Sequence, residues 1–302
     1  MADDHEWKVA TGRKAGRARK MPAARASVRT TSSMCASAAA PARIDALVAR
    51  VQHLAQVIST SQFYQDLRAG VDQWLLATTS VDAERNVSEI VAYGIGCPSV
   101  SSVSQLQLAC LLCLVSDLAP SMGAAAYEPA ADMNDLALCE RLGITNTTRN
   151  VECRHSATSG ATLFYMPHCA HRMYSNVLWA NWESERLVNV AIIGNSFLKY
   201  ELSLRKKDAS NCIALLSQDT CEIVLHDSMA APKKKRTKAE QERVELKGEE
   251  KVYAAFTDTS VMYYSIEVIK KIVQSRVLHI VPPRIPLGEV STVWDQEMVF
   301  CE

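Results

Sequence analysis

The chain has 302 residues, 48% of them hydrophobic and 22% charged, which suits one soluble domain with tails or two small domains. Its formal net charge is zero, so no global field draws it to nucleic acid, and specific nucleic-acid binding is not expected. No apolar run reaches the roughly 20 residues of a membrane helix. The longest, 106–118, is shorter and contains Asp117, so no membrane contact is expected.

The ten cysteines do not read as a disulfide framework. Cys110, Cys113 and Cys139 lie inside apolar helical patterns, where cysteine acts as a small hydrophobe. The first 20 residues are charged and lack an apolar core. The expectation is a reducing, intracellular setting with free thiols.

Residues 1–42 are rich in Ala, Arg, Ser and Thr and hold few large apolar side chains. Such a segment buries too little surface to offset its ordering entropy, so a disordered basic tail is expected. A transit peptide, a nuclear-import arm and a plain solvated tail are all compatible with it; Asp3, Asp4 and Glu6 argue against the first. Residues 43–84 read as a helical preface. Ile44, Leu47, Val48, Val51, Leu54 and Ile58 recur at helical spacing, as do Phe63, Leu67, Val71 and Trp74.

From residue 85 onward strands and helices alternate. Predicted strands are 89–96, 124–129, 146–151, 162–167, 187–194 and 221–226. Runs such as Ile90-Val91-Ala92-Tyr93 do not alternate in polarity, which is the mark of a strand covered on both faces. Helices are predicted over 132–143, with Met133 inward and Gly143 as its stop, and over 171–183, with short pieces at 198–204 and 209–216. Ser104 and Gln107 are read as the capping box of the helix after the first strand. The pattern predicts an α/β fold: a Rossmann-like, mostly parallel sheet flanked by helices, occupying 85–302. A charged insertion at 228–251 interrupts the rhythm. Residues 254–264 then read as a loop entering an edge strand, and 266–274 as helix. The proline-containing tail is expected to dock through Trp294 and Phe300.

Several constellations are candidates for function. Gly94-Ile95-Gly96-Cys97-Pro98-Ser99 ends the first strand. Two glycines there suit a tight turn, and the helix that follows offers amides to an anion. The dinucleotide fingerprint is broken, with Ser99 in the third glycine's place and Pro98 lacking an amide, so a plain structural turn stays open beside a cofactor or phosphate loop. Glu128 ends the second strand, where an acid can bind ribose hydroxyls, although it lies farther from the turn than the about 20 residues usual for that role. His168 and Cys169 follow the fourth strand. Zinc ligation and a thiolate–imidazole pair both fit their chemistry poorly by spacing, and no metal site is expected. Haem is a further candidate ligand, with His168 and Cys169 as weak axial groups. Asn195 and Ser196 follow the fifth strand, as crevice residues or as a helix cap. Lys233, Lys234, Lys235 and Arg236 behind Pro232 match a short nuclear-import patch and imply an import receptor as partner; a solvated charge run is the alternative.

Taken together, YGIGCPSVSSVSQLQLACLL, YEP, LFYMPHCAHRMYSNVLWANW, NVAIIGNSF and AFTDTS resemble the sensitivity-to-red-light-reduced family. The likeness covers about residues 90–260. It implies a Rossmann-like domain, found in plants with phytochrome signalling and the circadian clock, in animals with clock-gene expression and haem biosynthesis, and in fungi with microtubule-related phenotypes. It implies protein partners, presence in nucleus and cytoplasm, and no established reaction. It marks Gly94, Gly96, Gln107, Pro129, Pro167, His168, Cys169, Asn181, Trp182, Gly194, Asn195 and Ser196 as characteristic. Glu128 departs from an aspartate frequent there but keeps the carboxylate. The functional expectation is a regulatory protein. The alternative is an enzyme or binding protein with a nucleotide-type cofactor, adenosylmethionine or NAD-like, held by Gly94, Gly96, Ser99, Glu128, His168, Asn195 and Ser196.

Overall fold

A computed structural model describes residues 41–78, 86–203, 211–225 and 249–280. The tail over 1–40, the basic patch Lys233–Arg236 and the aromatic pair Trp294 and Phe300 lie outside the described residues.

Seven strands form one sheet in the order β3-β2-β1-β4-β5-β7-β6. They are β1 (Val87–Tyr93), β2 (Ala124–Tyr127), β3 (Thr145–Asn146), β4 (Ala161–Met166), β5 (Val190–Asn195), β6 (Cys221–Val224) and β7 (Thr259–Tyr263). All pairings from β3 through β5 are parallel, and β7 is antiparallel to both its neighbours. The fold is therefore α/β, with a mixed, mostly parallel sheet between helices.

The apolar strand runs explain the two covered faces. In β1, Ile90 and Ala92 join one buried cluster and Val91 and Tyr93 the other. In β4, Leu163 and Tyr165 face the first side, Phe164 and Met166 the second. The first face is covered by α1 (Pro41–Ser59), α2 (Gln62–Ala77), α3 (Ser102–Leu118), α4 (Met133–Arg141) and α9 (Glu249–Ala255). The second carries α5 (His171–Ala180), α7 (Phe197–Ser203), α8 (Cys212–Leu216) and α10 (Ile266–Gln274); the short α6 (Ser184–Leu187) adds Leu187 to that core. The face changes between β1 and β4, where the strand order reverses. In open α/β sheets that point places a crevice at the carboxyl ends of the strands.

The preface helices are where their spacing predicts. Helix α1 lies over α3, and the Cys113 thiol donates to Ala55 O at 3.2 Å. Phe63 of α2 stacks on Phe256, with centroids 4.6 Å apart.

The structure departs from the sequence expectations at six points. The cap of α3 is Ser101, whose hydroxyl accepts from the Ser104 amide; Ser104 is buried inside the helix. Met133 is 64% exposed, because Asp132 caps α4 and starts the helix with Met133 facing out. The third strand is only two residues, since 151–160 folds over the sheet as a loop pinned by Asn181, which bonds Ala157 N, His155 O and Val177 O. The helix expected over 171–183 ends at Ala180, and Leu187 lies in the turn before β5 rather than in the strand. Finally, 254–264 is no edge: β7 is buried along all five residues between β5 and β6.

At the amino ends of β1 and β4, Glu89 accepts from His155 Nε2 at 2.9 Å and from the Thr162 hydroxyl at 3.0 Å. Burial pushes its carboxyl up, but the hydrogen bond and charge of His155 and the Thr162 bond together hold it below the usual glutamate value of 4.5. A group depressed in the folded state stabilises above its unfolded value and loses that contribution as the pH falls through the folded one. Glu89→Gln should therefore lower the urea midpoint at neutral pH and leave it less changed at about pH 3. Equal losses at both pH values would refute this assignment.

Candidate functional site

The carboxyl ends of β1, β2, β4, β5 and the start of β7 meet at one crest, and the residues singled out in the sequence lie along it. The glycine turn is real. Gly94 and Gly96 have φ of +68° and +79°, a region that strains any residue with a Cβ. The close approach they allow is to the protein itself. A Cβ at Gly94 would sit 2.8 Å from Cys169 Sγ, and one at Gly96 2.5 Å from Ser104 Oγ.

The amides of the turn are engaged. Gly96 N donates to Glu128 Oε2 at 2.8 Å, and Ser99 N donates to Asp135 Oδ1 at 2.7 Å. The second carboxyl oxygen of Glu128 accepts from Ala130 N at 3.0 Å. Pro98 O accepts from Gln105, whose Oε1 accepts from Arg50 of α1. In this conformation neither Gly96 nor Ser99 offers an anion a free amide, and two carboxylates would repel it. A cavity of about 30 Å³ lies between the turn and α4, lined by Gly96, Glu128, Asp135, Asn146 and Thr147 among others. A water needs about 10–15 Å³ of such space, so a nucleobase does not fit without movement of the turn. Cys97 borders this region. Burial, then the charges of Asp135 and Glu128, push its thiol up to about 11, which keeps it protonated and weakly nucleophilic near neutrality.

His168 and Cys169 diverge. His168 has φ of +56°, and its Nε2 lies 2.9 Å from Ala255 O at the end of α9. A carbonyl only accepts, so Nε2 carries a proton. Gln107 donates to the same carbonyl at 3.3 Å. The Cys169 thiol, buried beneath the turn, donates to Tyr93 O at 3.4 Å. The imidazole and thiol thus hold two different elements and do not pair.

At β5, Asn195 N donates to the Tyr174 hydroxyl at 2.9 Å, and that hydroxyl donates to Met166 O at 2.7 Å. Asn195 Nδ2 reaches Tyr200 and Cys169 O, and Tyr200 also donates to Cys169 O. Ser196 caps α7 by accepting from Lys199 N at 3.2 Å. Trp182 Nε1 donates to Ile280 O. The structure therefore gathers Gly94, His168, Cys169, Asn195 and Ser196 on one crest, with Ser99 and Glu128 on its flank. It adds residues that the sequence pattern does not single out: Tyr174, Tyr200 and Asp135. A glycine inside a buried strand marks a close approach, so Gly194 was the available signal for Tyr174. Among the described residues, no cluster of three or more His, Cys, Asp or Glu could hold a metal, and no helix is long and apolar enough to cross a membrane.

The SRR1 domain model matches residues 58–263, which takes in α2 and every strand. The chain belongs to the SRR1 family. The SRR1-like protein of Mus musculus is 35% identical over 108 residues, 35% of this chain and 43% of that protein. Protein SENSITIVITY TO RED LIGHT REDUCED 1 of Arabidopsis thaliana is 36% identical over 117 residues, 37% of this chain and 41% of that one. The SRR1-like protein of Drosophila melanogaster is 44% identical over 55 residues, 18% of this chain and 20% of that one. The chain thus spans about two fifths of the length of the first two relatives it matches. No solved structure matches. The family to which the chain belongs includes a protein named for red-light sensitivity.

The crest predicts a sharp contrast between glycines. A Cβ at Gly194 would lie 2.5 Å from Tyr174 Cε1, within a rigid, buried ring. Gly194→Ala should cost about 3 kcal/mol by urea denaturation. Gly143→Ala, where φ is +78° but nothing lies within 4 Å, should cost only about 1 kcal/mol. Equal costs would show that Tyr174 can move aside.

Proposed function

We propose that this chain is a regulatory protein that acts through protein partners in red-light and circadian signalling and in the control of haem biosynthesis, in both nucleus and cytoplasm. The observation that carries this reading is the family match over 58–263. The geometry supports it. The groups that would serve chemistry, Glu128, His168 and Cys169, each hydrogen-bond to the backbone of another element. The reading assigns the chain no reaction. Depleting the protein in its own cells should alter the period of clock transcripts, the red-light response and haem content. Unchanged values of all three would overturn it.

The nuclear part of the proposal rests on Lys233–Arg236. Replacing these four residues with alanine should deplete the protein from nuclei, as seen by fluorescence microscopy of a tagged full chain. An unchanged distribution would remove the import reading and leave the regulatory one standing.

A second reading, a nucleotide-type ligand such as adenosylmethionine or NAD in the strand-end crevice, is favoured by one observation: the strand order reverses between β1 and β4 above a glycine turn. It requires the turn to swing off α4 and release Ser99 from Asp135. A thermal-shift screen with adenosylmethionine, NAD, NADP, ATP and haem decides it. A ligand at about 100 times its dissociation constant should add about 2.7 kcal/mol of stability. No shift with any of the five would sink this reading.

A further inference from the structure

We propose that Glu128 and Asp135 form an autoinhibitory latch that keeps the glycine turn closed against the phosphate of a ligand, an inference that rests on the nucleotide reading of this crevice. The latch consists of two short bonds. Gly96 N donates to Glu128 Oε2 at 2.8 Å, and Ser99 N to Asp135 Oδ1 at 2.7 Å. Both carboxylates come from outside the turn, Glu128 from just after β2 and Asp135 from the first turn of α4. The remaining oxygen of each accepts from its own segment, Glu128 from Ala130 N and Asp135 from Asp132 N. Neither acid has an ion-pair partner among the described residues. Asp135 is nonetheless only 2% exposed. Burying a carboxylate is costly unless donors surround it, and here the donors are backbone amides. The two acids therefore hold the amides that a glycine turn at the end of a strand offers a phosphate.

The turn can be released. Gly94 and Gly96 lie on its strand side, and glycine moves between backbone regions without the penalty a Cβ imposes. The cavity of about 30 Å³ between the turn and α4 leaves part of their contact as unfilled space rather than packed core. Cys97 Sγ adds only a thiol bond to Ala130 O at 3.3 Å, and thiols are weak donors. Pro98 is linked through Gln105 to the exposed Arg50 of α1, so a cation stands near the turn. Its charge favours an anion once the two carboxylates are displaced. The latch thus selects within the nucleotide class. A dinucleotide brings phosphate oxygens that compete for the amides, whereas adenosylmethionine has none.

Glu128→Gln/Asp135→Asn keeps the side-chain shapes and removes both charges. Each neutral side chain then has one accepting oxygen for two backbone donors. In NMR titrations of the full chain with inorganic phosphate, the Gly96 and Ser99 amides of the double variant should respond at a concentration lower by about tenfold or more than in the parent. NAD should follow the same order. Asp132→Asn is the control, because Asp132 accepts from Asn134 and Asp135 of its own helix rather than from the turn. It should bind phosphate no better than the parent. Should the double variant fail to fold, each single substitution gives the same comparison at its own amide, Glu128→Gln at Gly96 and Asp135→Asn at Ser99. Equal phosphate affinity in parent and double variant, or an equal gain in Asp132→Asn, would overturn the latch. NAD binding as tightly to the parent as to the double variant would also overturn it, while leaving the nucleotide reading in place. Phosphate binding gained without NAD binding would do the reverse, sustaining the latch and removing the dinucleotide.

Discussion

The crest depends on one phenolic oxygen. The Tyr174 hydroxyl donates to Met166 O at the end of β4 and accepts from Asn195 N at the end of β5. It can do so because Gly194 has no side chain to exclude the ring. From Asn195 the bonding continues to Tyr200 and Cys169 O, and from the Cys169 thiol to Tyr93 O at the end of β1. Three parallel strand ends are thereby tied in series. Each bond contributes only about 1 kcal/mol net, but in a dry setting a connected set rigidifies more than its members would singly.

The same hydrogen bonds engage the groups that could serve chemistry. The glycine turn approaches its own protein, Glu128 and Asp135 take its amides, and His168 grips α9.

Much of the fold was legible because each core strand is apolar on both faces. Val190–Asn195 and Ala161–Met166 could hardly be anything but central strands, and the helical spacing of Val51, Ile58, Leu67 and Trp74 located the preface. The placement of β7 was not legible. Its Thr259 and Ser260 read as loop, and its choice of partners is a long-range matter that local pattern does not encode. The α3 cap was missed because four serines compete within six residues, and hydroxyl position alone does not rank them. For the site, the strand-end rule picked out the right crest but not what its groups do there. Tyr174 reads as an ordinary core aromatic until the end of β5 is brought under its hydroxyl.

Amide hydrogen exchange in the parent chain and in Tyr174→Phe tests the central claim most directly. Phenylalanine fills the same space and removes only the bridging oxygen. The account predicts much faster exchange at Asn195, with the amides of β1 and β2 away from the crest unchanged. Unaltered exchange at Asn195 would contradict it, because the strand ends would then be held by something other than this bridge.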